Sequence, residues 1–376
     1  MIAAATIGTL ALLTLVVGLL LAFTPYLMRR NECFAVTVPA SAQKDPRLVA
    51  LKRQYASAML ALTAAATVIS LVAGVLITSG QDVIGTALMC AALTIPVAVS
   101  FALMLRNRHR VIEIKRSEGW KARHHQTTVS VAEEDLPGAI SLAWNLLYVP
   151  VILGTVCLGL ALYPGMPGML PMHADFTGNV NDYVPKTLGS AIGFPVALEV
   201  FMAACFVFSH WMILRSKRPA DPSAPATSAL AYGLFARAQS VLLLATGVLM
   251  SGGTGLLFLL SSAGLIELGQ AGLVVTLLCI PIAVGSVALS VVYGQAGSRV
   301  FRRMRDNGEL LADDDEHWKL GVLYFNREDV SIFLPKRFGI GWTMNLARPG
   351  AWAIALGFLV LTAAFILLVF GLTAAR

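Results

Sequence analysis

The sequence predicts an all-α polytopic membrane protein of about eight transmembrane helices, with a small cytoplasmic module that has room for a β-hairpin. Three observations predict it. Of the 376 residues, 57% are hydrophobic and only 13% are charged, where soluble globular chains carry about 25% charged residues. The mean hydropathy is +0.74. Several separate stretches also reach the roughly 20 apolar residues that a helix needs to cross the hydrocarbon layer. This balance excludes a soluble enzyme, a disordered chain and, despite a formal net charge of +7, a nucleic-acid-binding domain. A transmembrane barrel is excluded too, because its strands would alternate polar and apolar residues.

The first run, Ile2–Leu27, has no Lys or Arg before it and is longer than a leader-peptide core, so it reads as a helix that is not cleaved. Ser57–Thr78, Ile84–Leu105, Ile140–Tyr163 and Leu188–Leu214 follow. The sixth run, Tyr232–Ala263, is long, and Ser251-Gly252-Gly253-Thr254-Gly255 interrupts it, so a break or a tilt is expected there. Ala271–Tyr293 and Ala351–Leu372 complete the set. Pro96, Pro195 and Pro281 fall in runs three, five and seven, each expected near mid-depth. Proline removes a backbone donor and bends a helix; ordinary bending and a shared hinge or cavity are both open readings. Leu93–Ser100 resembles Leu278–Gly285, a hint of internal duplication of the kind transporters carry.

Lys and Arg collect in cytoplasmic loops. Segments 29–56, 106–139, 215–231 and 294–350 hold 25 of the 28. Alternation through eight helices then puts both termini outside a bacterial cytoplasmic membrane and the basic charge against lipid, with no nucleic-acid partner. The chain divides into a five-helix region 1–215 with an outer loop 164–187, a linker 216–231, helices six and seven at 232–298, an aromatic and Gly-rich module 299–349, and a last helix in 350–376. Four of the five cysteines lie in apolar runs, and Cys33 lies in a cytoplasmic loop. They read as small apolar fillers.

Chemistry-bearing residues are few. His173, Asp175, Gly178, Asn181, Asp182 and Lys186 group in the outer loop. A metal site, a ligand or proton-responsive site, and plain Asn/Asp/Gly turn chemistry are all open there, and no spacing matches a strong metal motif. Glu199 is the one carboxylate deep in a run. Intramembrane acids usually face the bundle interior and mark function, so Glu199 is expected to be protonated or hydrogen-bonded. Arg237 lies at a different depth from Glu199, and Asn145 matches the depth of Arg237 better. In 318–345, Lys336 and Arg337 beside Gly339 and Gly341 are candidates to hold a lipid phosphate, with a packed β-hairpin as the competing reading. His109, His124, His125 and His317 read as solvated polar residues. No Ser/His/Asp arrangement, GxSxG, HExxH or P-loop occurs, so a non-enzymatic protein without cofactor or metal is expected.

Pro171-x-His173, Gly178 and Lys186 together resemble the pattern LPxxIPxHFxxxGxxDxxxxK of bacterial SdpI-like membrane proteins. Asn181 stands where that pattern has Asp, with Asp182 following, and Ala174 replaces the aromatic. Trp318-Lys319-x-Gly321-x-x-Tyr324-x-Asn326 and Pro335-Lys336-Arg337-x-Gly339-x-Gly341-Trp342-Thr343-x-Asn345 resemble a cytoplasmic module of larger members, and 34–39 (FAVTVP) is similar to a further segment of theirs. The resemblance implies a sensor or immunity protein that meets a peptide toxin or small amphiphile outside, with a cytoplasmic regulator as a further partner. A secondary transporter or exporter using Glu199 is the alternative.

Overall fold

The computed structural model describes residues 2–29, 31–121, 136–175, 178–218, 224–303 and 313–374. His124, His125 and the centre of the linker lie outside these. Among the described residues eight helices are long and apolar enough to cross a membrane, and the chain is a multi-pass membrane protein.

The helices are α1 (Ile2–Leu27), α2 (Pro46–Thr78), α3 (Asp82–Ser117), α4 (Tyr148–Leu162), α5 (Phe194–Arg215), α6 (Pro225–Ser262), α7 (Ala271–Tyr293), the short α8 (Ser298–Arg303) and α9 (Pro349–Ala374). α1, α2 and α3 pack together, α4, α5 and α6 form a second group, and α7 bridges the two by touching α1 and α6. α9 leans on α5 and leaves Leu356, Leu367 and Phe370 exposed, as a lipid-facing surface requires.

Two helices outrun their apolar stretches. α2 begins at Pro46, capped by Asp45, whose carboxylate accepts from the Arg47 N–H at 2.8 Å. α3 continues to Ser117. These polar extensions enclose a core of Phe34, Val36, Leu48, Leu51, Tyr55, Met104 and Val111. The extensions form because burial rewards a helical turn beyond the hydrocarbon boundary. Run four starts as a 3-10 segment, Leu142–Leu147, before α4.

The expected break in run six does not occur. α6 is continuous over 38 residues, about 57 Å at 1.5 Å per residue, and takes in part of the expected linker. Its glycines are contact points. A Cβ at Gly247 would collide with the Tyr148 hydroxyl, and one at Gly255 with Glu199 Oε1. Small residues let helices approach closely in a bilayer, and an opened backbone there would leave polar groups unpaired. Pro96 and Pro281 lie inside α3 and α7. Pro195 instead opens α5, directly after a π-helical turn at Gly189–Gly193, and so is nearer the outer-loop end than mid-depth.

Among the described residues eight short strands form four antiparallel hairpins. β1 (Glu32–Cys33) pairs with β2 (Val36–Thr37); β3 (Met169–Ala174) with β4 (Val180–Pro185); β5 (Trp318–Lys319) with β6 (Leu323–Tyr324); and β7 (Phe333–Pro335) with β8 (Trp342–Met344). Three of the hairpins gather with the ends of α2 and α3 into a cap at the basic end. The β3–β4 hairpin belongs to the opposite end, touching the 3-10 turn Leu268–Gln270 and α9. Strands β3 and β4 therefore take up half of residues 164–187, where the sequence suggested a loop. Cys33 is fully buried in the cap, and burial pushes its thiol up to about 11.

Candidate functional site

The β3–β4 hairpin is pinned from below. Leu170 is fully buried against Met166, Ala191, Ile192 and Leu259. Lys186 donates to the Met166 carbonyl at 2.9 Å and lies 4.7 Å from the Tyr163 ring centroid. It anchors the hairpin base. At the tip, Asp175 accepts from the Asn179 N–H at 2.9 Å. Gly178 has φ of +95°, a conformation that L side chains rarely adopt, and its carbonyl rests where a Cβ on Gly269 would stand.

Above this base, His173, Asn181 and Asp182 come together on the exposed side. His173 pairs with Asp182 in the strand register. Its Nδ1 donates to Asn181 Oδ1 at 2.6 Å, which leaves Nε2 an acceptor in the neutral ring. Met169 and Tyr183 are exposed beside them, at 51% and 50%. Among the described residues no three His, Cys, Asp or Glu side chains group as a metal site would need.

A second set of polar groups runs through the α4–α5–α6 bundle. Glu199 has no exposed surface. Its Oε1 accepts from the Thr155 hydroxyl at 2.7 Å, and its backbone carbonyl accepts from Ser251 at 3.2 Å. Among the described residues Oε2 has no hydrogen-bond partner, and neither has the hydroxyl of buried Tyr148. Eleven residues further along α5, about 16 Å at 1.5 Å per residue, His210 is 1% exposed. Its Nδ1 accepts from Asn145 Nδ2 at 2.8 Å, and its Nε2 donates to the Ile140 carbonyl at 3.0 Å. Ser240 closes the row by accepting from the Ile140 N–H at 3.0 Å. Asn145 thus serves His210, and Arg237 is exposed on α6 and pairs with neither Asn145 nor Glu199 among the contacts described. His210 was missed in the sequence because it sits in an apolar run with its partner 65 positions away; an intramembrane histidine was itself the available signal.

The cap holds the third set. Arg337 is 2% exposed. Its guanidinium donates to Asp314 and Asp315, lies 3.7 Å from Glu32, donates to the Ala35 carbonyl at 3.2 Å, and stands 5.2 Å from the Trp318 ring centroid. Burial alone would raise Asp315, but Arg337 and Lys115 outweigh it and hold that carboxyl at about 2. Burial raises Glu32 in spite of Arg29 and Arg337. Thr37 donates to Asp315 from both its N–H and its hydroxyl, at 2.9 and 2.7 Å. The guanidinium expected on a lipid phosphate is therefore turned inward. Lys336 is exposed, and its backbone carbonyl accepts from Gln295 at 3.1 Å.

The rest of the 318–345 motif is absorbed the same way. Asn345 Oδ1 accepts from the Asn326 N–H at 3.0 Å, while its Nδ2 donates to the carbonyls of Asn326 and Asp329 at 2.8 and 3.0 Å. Tyr324 donates to Asp329 Oδ2 at 3.0 Å, and Lys217 reaches the same oxygen at 2.6 Å. Gly321, at φ +73°, faces Ala35 and Arg108. The β1–β2 turn puts Phe34 and Ala35 at φ of 46° and 59°. Two such values suit a two-residue hairpin and are costly for residues other than glycine. Full burial of Phe34 against Tyr55, with centroids 5.5 Å apart, holds it there.

Residues 151–198, which span α4, the β3–β4 hairpin and the start of α5, match the family described as Domain of unknown function (DUF1648). Residues 327–352 match the one described as Family of unknown function (DUF5808). No curated protein matches the chain, and no solved structure does. This multi-pass membrane protein is thus similar to known families over two segments, one holding the β3–β4 hairpin and the start of α5, the other the part of the cap that includes Arg337 and Asn345.

Proposed function

We propose that the protein is a non-enzymatic sensor or immunity protein of a bacterial cytoplasmic membrane, with the β3–β4 hairpin outside as its recognition element. The observation that carries this reading is the contrast within the hairpin. Its base is fixed by Leu170 and Lys186 and its tip by the turn at Gly178, while His173, Asn181, Asp182, Met169 and Tyr183 are presented on an exposed, pre-ordered surface. Such a mixed polar and apolar face suits a peptide or small amphiphile, and a fixed scaffold lowers the ordering cost of binding. The resemblance to the SdpI-like pattern points the same way. β4 leads through the π-helical turn Gly189–Gly193 into α5, so occupancy would be felt at Glu199 and, along α5, at His210 and the cap. A cytoplasmic regulator would read the cap. The test is survival of cells challenged with membrane-active peptides. Wild type protects, and alanine at His173 and Asn181 together removes protection at equal membrane level. Unchanged protection in that variant would sink the reading.

One observation favours a transporter instead. Glu199 Oε2 is buried without a partner among the described residues, about six residues, roughly 9 Å of helix, beyond the π-helical turn Gly189–Gly193, and such turns are frequent at functional sites. Proton-coupled flux in proteoliposomes that Glu199→Gln abolishes would replace the sensor reading with that one.

A further inference from the structure

A cleft of about 460 Å³ opens at the basic end of the molecule, where α1 ends and α2 begins. Arg29, Lys44 and Lys52 line it with Gln43, and among the described residues that line it there is no carboxylate. The cations are held at different depths. Lys52 is only 8% exposed, and its ammonium donates to Gln43 Oε1. The Gln43 amide is fixed in turn by the Glu32 carbonyl at 3.0 Å. Arg29 is shared, donating to the Pro335 carbonyl at 3.2 Å with its Nε 3.6 Å from Glu32. Lys44 is exposed at the rim. Apart from Ser298 the remaining wall is apolar, with Tyr26 and Val49 among its residues, 39% and 46% exposed. Tyr26 belongs to the end of the span Ile7–Leu27, the level at which hydrocarbon gives way to headgroups and where Tyr rings settle.

The ligand that fits has an anion at one end and hydrocarbon at the other. We infer that this cleft binds a phosphate group carried by an anionic phospholipid, with the phosphate between Lys44, Lys52 and Arg29 and an acyl chain along Tyr26 and Val49. Basic pockets between transmembrane helices bind such headgroups. The assignment is independent of what the outer hairpin recognises. It also moves phosphate binding away from Lys336 and Arg337, since the Arg337 guanidinium is already committed to carboxylates.

The experiment uses the purified full chain, stripped of lipid in detergent. Thermal unfolding and native mass spectrometry are followed with phosphatidylglycerol, phosphatidylcholine or inorganic phosphate added. Phosphatidylglycerol is expected to raise the unfolding temperature and to stay bound, and the other two to do neither. Each cation near an anionic lipid contributes about a fivefold factor in affinity. Lys44→Gln should therefore weaken phosphatidylglycerol about fivefold, and Arg110→Gln, an exposed cation on α3 outside the cleft, should leave it unchanged. Lys52→Gln should weaken it at least as much; if that variant fails to fold, Lys44→Gln decides. Equal binding of the two lipids, equal losses in Lys44→Gln and Arg110→Gln, or no lipid retained would overturn the inference. Stabilisation by inorganic phosphate equal to that by phosphatidylglycerol would overturn the lipid source and assign the cleft to a soluble phosphate compound.

Discussion

Arg337 in the cap and Glu199 in the bundle are both buried ionisable side chains, at 2% and 0% exposure, yet they are satisfied differently. Arg337 meets three carboxylates, a backbone carbonyl and an indole face. Glu199 meets one hydroxyl, and among the described residues its second oxygen meets no donor. A buried polar network that is fully paired rigidifies a fold, and one left incomplete is costly to keep. The cap is thus a structural clamp that ties the segment after α1, the end of α3 and the residues before α9 into one unit. Glu32 Oε2 in the cap also lacks a hydrogen bond among the described residues, but Arg29 and Arg337 stand beside that carboxylate; no cation is found beside Glu199 among the described residues, and a buried polar site left in that state calls for an explanation.

The largest effect expected from this contrast is at Arg337. Arg337→Met would leave Asp314, Asp315 and Glu32 facing one another without their shared cation. Removing one partner of a buried ion pair costs about 3–5 kcal/mol, so the variant should fall sharply in membrane level and unfolding temperature. A near-normal unfolding temperature would break the contrast at its stronger side. Thr155→Val comes next. It removes the one hydroxyl that Glu199 holds, at a cost of about 1–3 kcal/mol, read as a lower unfolding temperature. No change there would mean that Glu199 does not depend on Thr155.

Acid should weaken the cap. Folding lowers the Asp315 carboxyl from 3.8 to about 2, and it lowers Asp314 and Asp329 as well. Their stabilisation is complete above about pH 4 and is lost as the pH falls toward 2. Glu32 is raised by folding, so its contribution runs the other way and weakens as the pH rises past its usual value. Trp318, which donates to Asp314 at 3.2 Å, should report a fluorescence change below about pH 4, and Asp315→Asn should flatten it. The smallest effect on stability is expected at Asp182, which is exposed. In a background with the native cysteines replaced, Asp182→Cys should change stability by no more than about 0.5 kcal/mol. In intact cells it should react with an impermeant maleimide, whereas Lys336→Cys should react only after lysis. The reverse pattern would invert the orientation.

The apolar spans were legible because a run of about 20 apolar residues is a local signal. What stayed hidden depends on distant residues. Nothing near Arg337 in the sequence marks it as buried, because its acids are Glu32, about three hundred positions away, and two members of a run that looks solvated. The β3–β4 hairpin was masked by Pro171 and by bulges at His173 that interrupt the alternation. Ser251–Gly255 has the composition of a helix breaker, but packing against Glu199 and neighbouring helices overrides that propensity. At the candidate site the grouping of His173, Asn181 and Asp182 could be anticipated from the sequence. The anchoring role of Lys186 and the pairing of Asn145 with His210 could not, since both depend on tertiary contacts.

The most direct measurement is a paired survival and stability assay on wild type, His173→Ala and Arg337→Met, under the same panel of membrane-active peptides. His173→Ala should keep the wild-type unfolding temperature and membrane level and lose protection. Arg337→Met should lose the protein itself. Full protection by His173→Ala at normal level, in cells that the wild type protects, would contradict recognition by the outer hairpin.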